Sequence, residues 1–463
     1  MRLYDTLSGG KIDLPKQEKK IKLFVCGPTV YDKSHIGHAR TFLVFDIFVR
    51  YLRSLGHKVF YLQNITNIDD KIIDRARAEK KKPLAFAKVF EKDYYRNMKA
   101  LGVMSVTKYA RASDFIKEIE QQVKTLKKKG FAYEIIGDGY YFDISKFDDY
   151  GKLSKRTALE AEDSVSRIDE NVRKKNKGDF ALWKFQKTND EPAWNSSLGR
   201  GRPGWHIEDT AITEKFFGPQ YDIHGGAVDL KFPHHEAEIA QQEAASGKKP
   251  FVQIWMHAGS LSIEGRKMSK SLGNFITIDD FLKKYSADVM RWIVLSHHYR
   301  SPLSFSWALA EEATTAFKTV EDFVAKAGFV SNVKGNKNLP KSDLTIDLKE
   351  FDNKFYAALN DDFNTPLALG HLFGLITKIQ PKIWQINTVE TKMLANHIIE
   401  TFKILGLKIK IPKIPRAVAI LAQKRELLRV NKQFIQSDDL RKKIRVLGYE
   451  TEDTPLGPWI KQK

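Results

Sequence analysis

Cysteine is almost absent from the chain, Cys26 being the only one. A lone thiol forms no intramolecular disulfide, and it rules out zinc sites built on C-x-x-C pairs. A mixed-ligand metal site that spends a single thiolate survives that exclusion. Long apolar runs are also missing, none approaching the ~20 residues of a bilayer-spanning helix, so no membrane partner is expected. The opening stretch MRLYDTLSGGKIDLPKQEKK lacks the apolar centre of a secretory signal, and a cytoplasmic protein is expected. Glycine (28) and proline (16) are sparse in 463 residues, which argues against collagen-like and largely disordered classes. No segment recurs at the ~20 to 50 residue period of solenoids and propellers.

What is present points to a large soluble protein with a polyanionic partner. A length of 463 residues predicts two to four domains. Lys and Arg total 77 against 57 Asp and Glu, a formal charge of +20. Such a charge concentrates nucleic acid electrostatically, although lysines spread over solvated faces give the same total.

The patterning begins as a doubly wound α/β domain. Ile21–Cys26 (IKLFVC) reads as a strand, Ala39–Leu55 as a helix before Gly56, and Val59–Leu62 as the next strand. Ser113–Lys129 reads as an amphipathic helix and Gly137–Asp143 as a hairpin, neither continuing the βαβ rhythm, so an insertion to about Arg200 is expected. The polar stretch Arg167–Lys177 reads as a loop. Strand-like pieces resume at Gly201–Ala244, with a helix over Glu236–Ala245. From Trp307 the pattern is helical, broken by a polar stretch at Ser331–Asp343.

Two short motifs carry chemistry. His35-Ile36-Gly37-His38 stands at the start of the first long helix, with two imidazoles at i and i+3 where backbone N–H groups and the helix dipole favour an anion. Gly37 would let a flat base or ribose approach the backbone. Lys267-Met268-Ser269-Lys270-Ser271, flanked by glycines, reads as a mobile loop whose two ammonium groups can neutralise charge on a departing pyrophosphate.

Together, HIGH and KMSKS resemble the signature pair of class I aminoacyl-tRNA synthetases. The segments CGPTVYD (from Cys26), NITNIDDKI (from Asn64), PGWHIE (from Pro203), DIHGGAVDLKFPHHEAEIAQ (from Asp222) and LNDDFNTPL (from Leu359) are similar to cysteinyl-tRNA synthetases, over essentially the whole chain. The resemblance implies ATP-dependent ligation of L-cysteine to tRNA(Cys) through a cysteinyl-adenylate. It implies His35, His38, Lys267 and Lys270 as catalytic residues, and ATP, with Mg2+, held by those four together with Gly37, Asp229 and Ser269. Gly27, Thr29, Thr66, Trp205 and His224 match amino-acid pocket positions.

A zinc ion in that family binds the substrate thiol, and the implied donors here are Cys26, Asp209, His234 and Glu238. His234 and Glu238 are spaced i, i+4, on one face of a helix. Asp209 stands where the family usually has a second cysteine. A carboxylate is a legitimate zinc ligand that keeps the charge of the set, but it makes the site harder. Cysteine and serine differ by one atom, and a pocket that reads only shape separates near-isosteres by about 100-fold, so sulfur affinity is the reason for a metal.

The implied architecture is a Rossmann-like catalytic domain in two halves, 1–112 and 201–257, split by a connective subdomain at 113–200. A stem-contact region with the KMSKS loop follows at 258–308, then an all-α region: a helical bundle at 309–400 and an anticodon-binding module at 401–463, with a monomer expected. The stretch Arg425–Arg445 is dense in Lys and Arg, with Trp459 nearby, a mixture suited to phosphate contacts and base stacking. Two competing readings are a cysteine ligase of the mycothiol-pathway type and a synthetase-like RNA-binding protein that has lost activation.

Overall fold

A computed structural model describes residues 1–15, 19–156, 172–269, 272–333 and 339–462. Lys270, residues 167–171 of the expected loop and residues 334–338 of the expected break lie outside the described residues. The chain divides into two units, Met1–Ser306 with Asn360–Phe363, and Trp307–Leu359 with Asn364–Lys463.

The first unit is organised by a five-stranded parallel sheet: Ile21–Val25 (β1), Val59–Ile65 (β2), Lys108–Arg111 (β3), Tyr221–Ala227 (β4) and Val252–Ala258 (β5). The strand order is β5-β4-β1-β2-β3. β1 and β2 are almost wholly buried, which is why they read as continuous apolar runs instead of alternating ones. This is a doubly wound order, in which the chain turns outward in opposite directions from β1 and from β4. The helix Ile36–Ser54 (α1) links β1 to β2 and begins three residues earlier than its apolar period suggests, because His35 caps it.

Between β3 and β4 lie a helix, Ile116–Lys128, and an antiparallel four-stranded sheet: Ala132–Ile135, Gly139–Phe142, Phe180–Phe185 and Gly201–Pro203. The expected hairpin is there, with Gly137 at φ +73° in the turn that its GDG composition announces. The helices Ile207–Phe217 (α2) and His234–Ser246 (α3) bracket β4. One contiguous core, including Phe24, Leu62, Leu182, Ile212, Ala240 and Trp255, runs from the parallel sheet through both helices into the inserted sheet. A small sheet of Leu261–Ile263, Arg266–Lys267 and Leu303–Phe305 follows β5.

The second unit is helical: Trp307–Ser331, Leu344–Asn360, Thr365–Ile379, Thr388–Ile404, Arg416–Val430 and Phe434–Val446. Among its described residues an antiparallel hairpin of Tyr449–Thr454 with Gly457–Gln462 departs from an all-helical end. The cause is local: Thr454-Pro455-Leu456-Gly457 is turn chemistry, with Gly457 at φ +102° and the Thr454 hydroxyl donating to the Gly457 carbonyl at 2.6 Å. Trp459 sits in this hairpin, buried, with the Lys326 ammonium 4.6 Å from its ring centre and 3.1 Å from Glu452. That position is structural packing more than an open stacking platform.

Asp46 on α1 holds the first unit together from inside. Its carboxylate accepts from Arg291 Nη1 and Arg50 Nε, both at 2.8 Å, and from the backbone N–H groups of Met104 and Ser105 at 2.9 and 3.0 Å. Burial pushes this carboxyl up, but the two guanidinium groups outweigh it and hold it below the usual range. A depressed carboxylate contributes stability that is present above its unfolded pKa of about 3.9 and fades as pH falls through the folded value. Asp46→Ala strands the buried Arg291 guanidinium, and a loss of about 3–5 kcal/mol is expected in denaturant unfolding at pH 7. The gap between variant and parent should narrow below about pH 4; a gap unchanged down to pH 2 contradicts the linkage.

Candidate active site

The C-terminal ends of β1 and β4 are neighbours in the sheet, and the crevice beyond such a switch point is where open α/β sheets bind ligands. Cys26 follows β1 directly, its N–H donating to the Gly225 carbonyl at 3.0 Å. The HIGH turn opens α1 on the same side. His35 Nδ1 accepts from the Gly37 N–H at 3.1 Å and His38 Nδ1 from the His35 N–H at 3.3 Å, a reciprocal capping box, with the two rings stacked 3.8 Å apart. A Cβ on Gly37 would stand 2.8 Å from His35 Nδ1, so the glycine makes room for the imidazole. Burial lowers the pKa of His35 to about 4 and that of His38 well below its ordinary value, so both rings are neutral at pH 7.

The KMSKS segment is tied to this turn by backbone. The Ile36 N–H donates to the Ile276 carbonyl at 3.1 Å, and the Ile278 N–H to the Ser34 carbonyl at 2.9 Å. Lys267 is exposed at the end of its strand, while Asn274 spans the loop, accepting from the Ser269 N–H at 2.8 Å and donating to the Lys267 carbonyl at 3.2 Å. Asp229 is exposed in the short turn after β4.

Beneath the crevice lies a buried cluster. Cys26, Asp209, His234 and Glu238 each offer one donor atom, all within 4.8 Å of one another. His234 Nε2 is 3.1 Å from both Asp209 Oδ2 and Glu238 Oε1, and Cys26 Sγ is 3.8 Å from Glu238 Oε1. Asp209 comes from the first turn of α2 and the other two from α3. Burial is the main cause that pushes the Cys26 thiol, Glu208 and Glu238 well above their usual ranges, and the other acids nearby add to it. The second oxygens of Glu208 and Glu238 are buried without a hydrogen-bond partner. So many acidic oxygens and a thiol buried together are costly to ionise, a cost that a cation relieves, and the residues present fit a divalent metal.

The pocket residues converge on the same place. Thr66 pairs with Thr29 across a short bridge, and its hydroxyl bonds to Glu208. Gly27 has no room for a Cβ, which would fall 1.8 Å from the Asn64 carbonyl oxygen. Trp205, 36% exposed, stacks on His234 with centroids 4.4 Å apart. A cavity of about 190 Å³ opens here, lined in part by Thr29, Lys184, Arg202, Trp205 and His206.

Sequence matches His224 to an amino-acid pocket position. It is fully buried, stacked 4.3 Å from Trp255, with Nε2 3.3 Å from Cys26 Sγ. Sequence reasoning missed His235, whose Nε2 lies 3.1 Å from the same sulfur, and it missed Glu208, His206 and Asn64. The adjacent pair His234-His235 was a visible signal, but i, i+4 spacing favours His234, and only the tertiary pairing with β4 brings His235 to the thiol.

This architecture is that of class I aminoacyl-tRNA synthetases. Mycobacterium tuberculosis methionyl-tRNA synthetase in complex with methionyl-adenylate superposes with a TM-score of 0.63 over 84% of this chain and 89% of that one, at 14% identity. A ternary complex containing Agrobacterium radiobacter LeuRS and tRNA gives 0.61 over 84% and 86%, at 11% identity. The family described as "tRNA synthetases class I (C) catalytic domain" matches residues 13–315, and a DALR domain matches 354–410. Proteins named cysteine–tRNA ligase from Aquifex aeolicus and Caldicellulosiruptor saccharolyticus are 39% and 40% identical, over 100% of this chain and 99% and 100% of theirs. The chain belongs to the cysteine–tRNA ligase family.

Gly226 supports the cluster sterically, since a Cβ there would stand 2.8 Å from His235 Cε1, a ring already held on both sides. Gly226→Ala should cost about 1–3 kcal/mol through overpacking, seen as a Tm several degrees lower. An unchanged Tm contradicts this packing.

Proposed function

We infer that this site performs the reaction of the family, ATP-dependent attachment of cysteine to tRNA, in two steps. The cysteine carboxylate attacks the α-phosphate of ATP in line to give cysteinyl-adenylate and pyrophosphate. The terminal ribose hydroxyl of the tRNA then takes the aminoacyl group. No side-chain nucleophile is required, so positioning and charge stabilisation supply the rate. The observation that carries the assignment is the meeting of the HIGH turn, the KMSKS segment and a metal-competent cluster at one switch point.

In this reading His35, Gly37 and His38 pack neutral rings and backbone N–H groups around the nucleotide, Lys267 and Lys270 bring positive charge to the phosphates of ATP with its Mg2+, and Ser269 adds a hydroxyl donor. Asp229 grips the ribose or the substrate amine. Gly27, Thr29, Thr66, Trp205 and His224 enclose the amino acid. Cys26, Asp209, His234 and Glu238 would hold zinc, which supplies an affinity for sulfur over oxygen and so separates cysteine from serine. No helix among the described residues is long and apolar enough to cross a membrane. We place the protein in the cytoplasm, as a monomer, with the connective subdomain and anticodon module assigned from the chain pattern. The mycothiol-type and inactive readings have less support, since full-length relatives carry the ligase name and a DALR domain follows the catalytic one.

Purified protein should charge unfractionated tRNA with labelled cysteine and not with labelled serine, and a zinc chelator should abolish charging. Adenylate formation without transfer would instead support the amino-sugar ligase, and tRNA binding with neither would support the inactive form. Lys267→Ala should lower the pyrophosphate-exchange rate constant by about 100-fold or more with a much smaller change in KM for ATP. An unchanged rate constant removes Lys267 from the assignment.

A further inference from the structure

The walls of the amino-acid pocket come from separate parts of the fold. Thr29 and Thr66 follow β1 and β2, whereas Trp205 follows the last strand of the inserted sheet, Gly201–Pro203. One wall must be fixed against the other, and an ion cluster at Asp70 is placed to do so. We propose that Asp70 is a positioning residue for the cysteine pocket, holding Lys184 and Arg202, and through them Trp205, at a set distance from Thr29 and Thr66. The proposal rests on the reaction inferred above and deepens it by naming what sets the width of the pocket.

Lys184 and Arg202 stand directly opposite each other in neighbouring antiparallel strands. Two cations in that register repel, and Arg202 is buried, so its charge is poorly solvated. The Asp70 carboxylate compensates both. One oxygen accepts from Lys184 Nζ at 2.9 Å, and the other pairs with Arg202 Nη2. Burial pushes this carboxyl up, but Arg202 and then Lys184 outweigh it and hold it below the usual range, so it is ionised at pH 7.

Each side of the bridge is stiff. Asp70 is the first residue of the helix Asp70–Ala78, which Asp69 caps by accepting from the Lys71 N–H at 2.8 Å. Four residues upstream, Thr66 donates its N–H to the Pro28 carbonyl and accepts from the Val30 N–H, both at 3.1 Å. On the other side the Gly204 N–H donates to the Leu182 carbonyl at 3.0 Å, and a Cβ on Gly204 would fall 1.8 Å from the Ala181 carbonyl oxygen. The strand therefore lies against its neighbour without slack between Arg202 and Trp205, and a shift at Arg202 reaches the indole. Displacing a pocket wall by about 1 Å is enough to weaken the hold on a small substrate. A second ion pair, Arg77 with Asp190 at 2.7 Å, joins the same helix to the inserted region, but both side chains are about half exposed and the pair serves as a control.

The test is cysteine-dependent pyrophosphate exchange by the full chain. In Asp70→Asn the KM for cysteine should rise about tenfold or more, while kcat and the KM for ATP change less than about threefold. Arg77→Ala should leave all three near parental values. Arg202→Gln should raise the same KM, and the double variant of Asp70→Asn with Arg202→Gln should be no worse than the more affected single one, because both break one link. An unchanged cysteine KM in Asp70→Asn, losses that multiply in the double variant, or an equal rise in Arg77→Ala overturns the proposal while the reaction stands. If Asp70→Asn does not fold, Arg202→Gln carries the test, and a parental cysteine KM there overturns the proposal. A parent chain with no cysteine-dependent exchange defeats the reaction reading and the proposal together.

Discussion

Everything at the site depends on β1 and β4 lying side by side in parallel. The register pairs Leu23 with Ile223, Phe24 with His224 and Val25 with Gly225, so the next residue, Cys26, is set against the segment that leads into α3. Residues almost 200 positions apart are thereby joined by backbone hydrogen bonds and not by side-chain chance. A one-residue slip would turn every β4 side chain to the opposite face and carry His224 away from the sulfur. The glycines at 225 and 226 belong to the same constraint, since Cβ atoms there would strike Phe45 and His235.

From that register the rest follows in layers. α1 leaves β1 with His35 as its cap, and the capping box that ends the helix also fixes the HIGH rings in a stack. Backbone bonds from Ser34 and Ile36 to Ile278 and Ile276 then carry the KMSKS segment to the same turn. The HIGH and KMSKS segments are adjacent because one closes the N-terminus of a helix whose far side is pinned through Asp46 and Arg291. Helix capping, an elementary device of local stability, here does the positioning of the chemistry.

Much of this was legible in the sequence because its causes are local. Apolar runs announce buried parallel strands, and Gly137 and its neighbours announce a turn. HIGH and KMSKS are contiguous words, and His234 and Glu238 sit one helical turn apart. What was not legible depends on the sheet register. Nothing local says that His224 Nε2 lies 3.3 Å from the Cys26 sulfur, or that His235 Nε2 lies 3.1 Å from the same atom beside Gly226. Glu208 reads as an ordinary residue of WHIE until Thr66 is seen against it. The final hairpin was hidden for a different reason, since TEDTPLGPW is short, charged and lacks strand periodicity, and its pairing is set by the turn.

The acidity of the cluster has a consequence for folding itself. Glu208, Asp209, Glu238 and the Cys26 thiol are all buried around imidazoles that burial keeps neutral at His206, His224 and His235. Folding this interior as charged groups without a cation means burying unpaired negative charge, and folding it protonated means holding acids far from their solution preference. A bound dication removes that conflict and displaces protons as it does so. In the zinc reading, Asp209 brings the same formal charge as a thiolate would but not its softness, so Cys26 is the one soft donor of that set. The imidazoles of His206, His224 and His235 line the floor of the site as neutral, buried groups.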